Sequence, residues 1–289
     1  MIPPFKNFLP AAFALALCLA AVARGQGWAL VWGDEFAGAK GAGVDRAKWG
    51  AEVGGSGWGN RELEYYTDDG RNAYLDGRGH LVIKAVRETL PPAFVCWYGP
   101  CRYTSARLST KKRFARAFGR FEARMKLPSG QGVWPAFWLL GDDIGSVGWP
   151  ACGEIDVMEN IGREPSLVHG TIHGPGHSGA NGLGAPYALP AGRRFAEDFH
   201  TFAVEWEPGE IRWYADGRLY ATRRPADLPP GAKWVYDHPF FVILNLAVGG
   251  DWPGDPDATT SMPQTLTVDY VRAYGRRGGA RRRPDAARR

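Results

Sequence analysis

Cysteine is scarce in this chain, four among 289 residues. That excludes a disulfide-stapled scaffold, so stability has to come from a packed core. Helical periodicity is nearly missing beyond the N-terminus, which argues against a helix bundle or alternating βα units. Long apolar runs are missing as well. The exception is Phe8 to Val22, broken only by Pro10 and shorter than the ~20 residues a bilayer span needs. With Lys6 before it and Ala21-Val-Ala23 closing it, the run reads as a secretory signal peptide over residues 1–23, its end uncertain to about residue 25. The expectation is a protein secreted to an extracellular or periplasmic space, with no membrane span.

Net positive charge is missing from the body of the chain. The formal charge is +5, but Lys6 accounts for +1 and the tail 276–289, with seven Arg and one Asp, for +6, leaving the body at −2. A nucleic-acid groove is therefore excluded, and the basic tail is expected to be disordered. His169, His173 and His177 are spaced by four, as in helical zinc motifs. Gly170, Gly174, Pro175 and Gly176 oppose a helix there, and no glutamate follows His169, so zinc is rejected. Cys96 and Cys101 enclose a turn-like Trp-Tyr-Gly-Pro. In a secreted chain they are open to a disulfide, and metal binding lacks a second pair. Cys152 is expected to be a small buried apolar residue.

Glycine and proline are abundant, 39 and 22 copies, and they punctuate short strands. Gly119 to Leu127 alternates cleanly, with Phe121, Ala123, Met125 and Leu127 on one face. Phe202–Trp206 and Ile211–Tyr214 flank the turn Glu207-Pro-Gly209, Phe240–Val248 is apolar almost throughout, and Leu266–Tyr274 alternates again. Many short strands in this order predict an all-β sandwich in a single domain over residues 27–275.

One stretch carries chemistry. Cys152-Gly-Glu-Ile-Asp-Val-Met-Glu159 sets three acids in an apolar run, and carboxylates are rarely buried unless paired or used. On a strand Glu154 and Asp156 share a face. Glu159 would point the other way unless one extra residue, a bulge near Val157-Met158, turned it back. Taken alone, such a pattern is more often the wet face of an amphipathic strand. Its flanks shift the balance: Gly130-Gln-Gly-Val-Trp-Pro-Ala-Phe-Trp138 before it and Val168-His-Gly-Thr-Ile-His173 after it offer aromatic and polar linings. Two glutamates across a cleft are the equipment of glycoside hydrolysis. Trp134 and Trp138, four apart, share a strand face and can stack on sugar rings; Trp149, in a glycine-rich loop, can wall the cleft. Asn245, in the apolar strand, is either a structural network member or part of the cleft floor, and His173 can bond sugar or Asp156.

Runs such as Trp32-Gly-Asp-Glu-Phe36, Tyr103-Thr-Ser-Ala-Arg107, Gly119-Arg-Phe-Glu-Ala-Arg124, Gly132-Val-Trp-Pro-Ala-Phe-Trp138, Gly153-Glu-Ile-Asp-Val-Met-Glu159 and Val242-Ile-Leu-Asn-Leu-Ala-Val-Gly-Gly250 closely resemble glycoside hydrolase family 16, in particular bacterial laminarinase-like endo-β-1,3-glucanases. The likeness extends from about Trp28 to Tyr274. It implies a β-jelly roll of two curved antiparallel sheets with a concave substrate cleft. It implies Glu154 as nucleophile and Glu159 as general acid/base, with Asp156 between them tuning the row. It further implies glycan contacts from Asn60 and Arg107, and a structural calcium held by Glu35, Gly79 and Asp269. No catalytic cofactor is implied, and the chain is expected to work as a monomer on a polysaccharide. The competing readings are hydrolysis or transglycosylation of another polysaccharide, such as an agar-type galactan, and a non-catalytic glucan-binding protein.

Overall fold

Alternation decides which face of each strand is dry. Along Gly119–Lys126 every second side chain is buried, and the strand pairs on one side with His200–Glu207 and on the other with Gln264–Arg276. These belong to a ten-stranded sheet. A second sheet of eight strands runs Ala185–Ala188, Leu167–His173, Glu154–Glu159, Val133–Gly141, Phe240–Val248, Arg107–Ser109, Gly50–Glu52, with Ala115–Arg116 beside Phe240–Val248. The computed structural model describes residues 27–190 and 192–277. Its strand-to-strand pairings are antiparallel apart from Glu64–Tyr66 against Tyr103–Ser105, and the helix Ile144–Val147 is a single turn. This is the sandwich expected from the strand pattern and, in its two antiparallel sheets, the jelly roll that the resemblance implied.

The two inner faces close on one core. Phe121, Phe202, Trp206 and Trp213 from one sheet meet Phe137, Ile155, Met158 and Leu244 from the other, all in a single buried cluster. Each such side chain contributes roughly 1.5–3 kcal/mol by leaving water. Phe240–Val248 is buried at every position, as its apolar run required: its inner face meets the core, and its outer face lies under the cleft. Trp206 and Trp213 are fully buried.

Cys96 and Cys101 form a disulfide with Cα atoms 5.1 Å apart, and Cys152 is free and buried. The C-terminal boundary needs correction. The last strand continues to Arg276, whose guanidinium bonds Glu207 at 2.9 Å and lies over Trp28, while Arg277 donates to the Trp28 carbonyl. These two arginines, assigned to the tail by composition, are anchored because the domain offers them a carboxylate, an indole face and a carbonyl. The expected signal peptide, 1–23, and the rest of the expected tail lie outside the described residues. Among the described residues, no helix is long and apolar enough to cross a membrane.

Candidate active site

The acid strand is bulged where its sequence required. Asp156 opposes Trp138 and Met158 opposes Phe137, so Val157 is the extra residue; on the other side Asp156 opposes Thr171 and Glu159 opposes His169. Ile155, Val157 and Met158 go to the core, and Glu154, Asp156 and Glu159 all face one cleft of about 300 Å³. The opposite sheet pins the bulge. Trp213 donates its indole N–H to the Asp156 carbonyl at 2.7 Å, and a Cβ on Gly170 would stand 2.3 Å from that indole. Only glycine leaves the path open.

A tryptophan serves each outer acid. Trp149 Nε1 donates to Glu154 Oε2 at 2.8 Å, and Trp134 Nε1 to Glu159 Oε1 at 3.1 Å. Burial pushes the Glu154 carboxyl up to about 8, with the Asp156 charge acting the same way and His173, Trp149 and Arg107 pulling back. Burial raises Asp156 to about 7, opposed by its bond to Glu154. Glu159 is raised well above the usual carboxyl range by burial and then by the Asp156 charge. Three carboxyls this close cannot all ionise near neutral pH; the row holds protons and titrates as one set.

The facing wall holds the rest of the site. Arg107 lies between two indoles, its guanidinium carbon 4.7 Å from the ring centroids of both Trp58 and Trp138, while its Nε bonds Glu52 at 2.6 Å. Trp138 donates to Asn245 Oδ1 at 2.8 Å. Asn60, Arg107, Trp134, Trp138, Trp149 and Asn245 all line the cleft with the acids. Asn245 therefore answers to both of its open readings, network member and cleft floor.

His173 takes the second of its two open readings, the one that faces Asp156. Its Nε2 is 3.2 Å from Asp156 Oδ2 and 4.0 Å from Glu154 Oε1, and it is not among the cleft-lining side chains. It sits on the neighbouring strand, paired with Glu154 in register, and supports the acids. Several partners escaped the sequence reading: Glu52, Glu62, which lines the cleft, and Trp252, edge-on to Trp134 at 5.4 Å. The sequence neighbours of the two glutamates carry no sign of the distant residues they meet.

Two places offer metal donors. The donor atoms of Glu154, Asp156 and His173 lie within 4.8 Å of one another; an ion there would engage the carboxylate that has to reach the substrate. At the expected calcium position, Asp269 is the bulged residue between Val268 and Tyr270, opposed by no residue of Gly119–Lys126, so its carbonyl is outside that ladder. Its Oδ2 accepts from Arg124 at 2.7 Å. The Glu35 carboxylate is gripped by the Arg272 fork at 2.7 Å through each oxygen, which leaves Glu35 its backbone carbonyl to offer.

Comparison with known proteins agrees with this arrangement. Residues 58–272 match the family described as glycosyl hydrolases family 16. The β-glucanase of Rhodothermus marinus is 44% identical over 262 residues, covering 86% of this chain and 85% of its own. The glucan endo-1,3-β-glucosidase A1 of Niallia circulans is 40% identical over 268 residues, 86% of this chain, although the chain spans only 38% of that protein. The solved laminarinase catalytic domain of Thermotoga maritima MSB8 superposes with a TM-score of 0.80 at 48% identity, over 86% of this chain and 98% of that one. With residues 58–272 matching the family and the greater part of its length in common with these proteins, the chain belongs to glycosyl hydrolase family 16.

Proposed function

We propose that this chain is a secreted, endo-acting, retaining β-glucanase that hydrolyses β-1,3-glucan of the laminarin type and also accepts mixed-linkage β-1,3-1,4-glucan. The observation that carries the reading is the acid row itself: two glutamates on one bulged strand, each bonded by a tryptophan, open to a cleft lined by further aromatic faces.

In the first step the Glu154 carboxylate attacks the anomeric carbon and the glycosidic C–O bond breaks. Glu159 gives its proton to the departing oxygen, and a glycosyl ester of Glu154 remains. In the second step a water attacks the same carbon, Glu159 takes the water's proton, and Glu154 leaves as carboxylate. Two inversions return the original configuration. The raised carboxyl of Glu159 suits a group that begins protonated. Glu154 attacks from its ionised form, which requires the row to hold the shared proton on Asp156 at the moment of attack, although Glu154 is the more raised of the two. The Trp149 N–H favours that division. Arg107, Trp58 and Trp138 present a cationic and aromatic wall to the sugar faces.

The Cys96–Cys101 disulfide fits an oxidising destination and hence the secretory reading of residues 1–23. The donors at Glu35, Gly79 and Asp269 fit a hard, oxygen-seeking cation such as calcium through carbonyls and one carboxylate oxygen; bound there, it would tie the last strand to two loops, with no part in the chemistry. Calcium titration read by thermal unfolding tests that site, with Asp269→Ala as control.

The deciding experiment is product analysis on laminarin, lichenan, curdlan and agarose, with Glu154→Gln as control. Oligosaccharides from laminarin, lost in the variant, are expected. Activity on agarose alone would contradict the assignment.

A further inference from the structure

The wall opposite the acid row is wired to two carboxyl groups that the mechanism does not use. Glu62 and Glu64 are 2% and 0% exposed. Tyr66 donates its hydroxyl to Glu62 Oε2 at 2.9 Å, and Asn60 Nδ2 donates to Glu62 Oε1 at 3.0 Å. Asn245 Nδ2 donates to the Tyr66 oxygen at 3.2 Å, and Asn245 Oδ1 accepts from Trp138 at 2.8 Å. Glu64 Oε2 accepts the Val248 N–H at 2.7 Å, and its Oε1 is buried without a partner among the described residues.

The direction of these bonds is forced. An indole can only donate, and a phenol has one proton to give. With that proton on Glu62, Tyr66 can only accept from Asn245, whose carbonyl then meets Trp138. On the other branch Asn60 spends an N–H on Glu62, which turns its carbonyl oxygen away from that bond, and Asn60 lines the cleft. Each chain of donors ends on Glu62, so Glu62 has to be an acceptor through both oxygens. A bare second carboxylate beside it, fully buried, would be expensive. A proton on Glu64 Oε1 removes that cost and gives the orphaned oxygen a bond to make. Burial and then the Glu62 charge push the Glu64 carboxyl well above its ordinary range, in keeping with this.

We propose that Glu62 and Glu64 are a one-proton carboxyl pair that fixes the hydrogen-bond polarity of this wall, so that Asn60 presents its carbonyl oxygen to a sugar hydroxyl. Both are positioning residues. The inference rests on the cleft being a β-glucan site.

The test is steady-state kinetics on β-1,3-gluco-oligosaccharides with Glu62→Gln, Glu64→Gln and Glu64→Leu. The amide introduced by Glu62→Gln would add a donor where only acceptors fit. KM is therefore expected to rise about 10-fold with kcat within about 3-fold of wild type. Glu64→Gln keeps a donor N–H toward Glu62 and an acceptor for Val248, so it is expected within about 2-fold of wild type, while Glu64→Leu behaves like Glu62→Gln. An unchanged KM in Glu62→Gln, or equal damage in Glu64→Gln and Glu64→Leu, overturns the pair. Should Glu64→Leu fail to fold, the contrast between the two Gln variants decides: anything but a wild-type-like Glu64→Gln beside a KM-impaired Glu62→Gln overturns it. Failure of the glucanase reading shows earlier and separately, as a wild-type enzyme inactive on β-1,3-glucan. The same contrast then runs on whichever glycan that enzyme cleaves.

Discussion

Trp149 holds Glu154: its indole N–H meets Oε2 at 2.8 Å from a ring that is 48% exposed. The bond favours the ionised form, which attack requires, and it is one of the influences that draw the Glu154 carboxyl down against burial. Trp149→Phe keeps a ring and removes the donor. Glu154 then holds its proton to higher pH, so the acidic limb of kcat/KM is expected to move upward while kcat falls roughly 10-fold. A pH–rate profile measures both. A limb that stays in place would separate Trp149 from the titration of Glu154.

Asp156 makes the opposite kind of contribution, to stability. Its folded carboxyl titrates near 7, above its unfolded value. Between those two values the folded chain binds more protons than the unfolded one, so this group's stability is fully present at low pH and is lost as pH rises toward 7 and beyond. Asp156→Asn removes that slope. The variant is expected to gain on the order of 1–3 kcal/mol at pH 8 relative to its difference from wild type at pH 5, roughly 2–10 °C in Tm. The lowered carboxyls of Asp76 and Asp216 lose their contribution at lower pH, and the other raised carboxyls, Glu64, Glu154 and Glu159, are present in both proteins, so the comparison reads the change made at Asp156. Parallel Tm curves for the two proteins would remove Asp156 from the proton-holding row.

Glu159 is expected to matter in proportion to the leaving group. Glu159→Gln should cut turnover of laminarin by about 10²–10⁴. Formation of the glycosyl ester from an aryl β-glucoside whose leaving group needs no proton should stay close to wild type. A burst of phenol followed by slow turnover is the signature. Equal losses on both substrates would assign Glu159 a structural role.

Arg107 between Trp58 and Trp138 depends on a flat cation. Lysine keeps the charge but cannot stack between two indoles or hold Glu52 through a rigid fork. Arg107→Lys is expected to raise KM for oligosaccharides about 10-fold with little change in kcat. A wild-type KM would show that charge alone is sufficient there.

Much of this was legible because strand periodicity is local. The parity of Glu154 and Asp156, and the need for one extra residue before Glu159, follow from neighbours in the chain, and Val157 supplies that residue. Trp134 and Trp138 shared the cleft face for the same reason. Glu62 and Glu64 were not legible. In Asn60-Arg-Glu-Leu-Glu-Tyr-Tyr66 they look like an ordinary wet surface, and what buries them arrives from far along the chain, Val248 being 184 residues from Glu64 and Asn245 179 from Tyr66. His173 had two readings in the sequence because parity gives its face but not its depth: in register with Glu154, its ring lies against Asp156.

Proton NMR during hydrolysis of a β-1,3-glucan bears most directly on the paired roles of Glu154 and Glu159. The β-anomer of the new reducing end should appear first, followed by slow mutarotation. If the α-anomer appeared first, Glu154 would not be the nucleophile and the double displacement would be wrong.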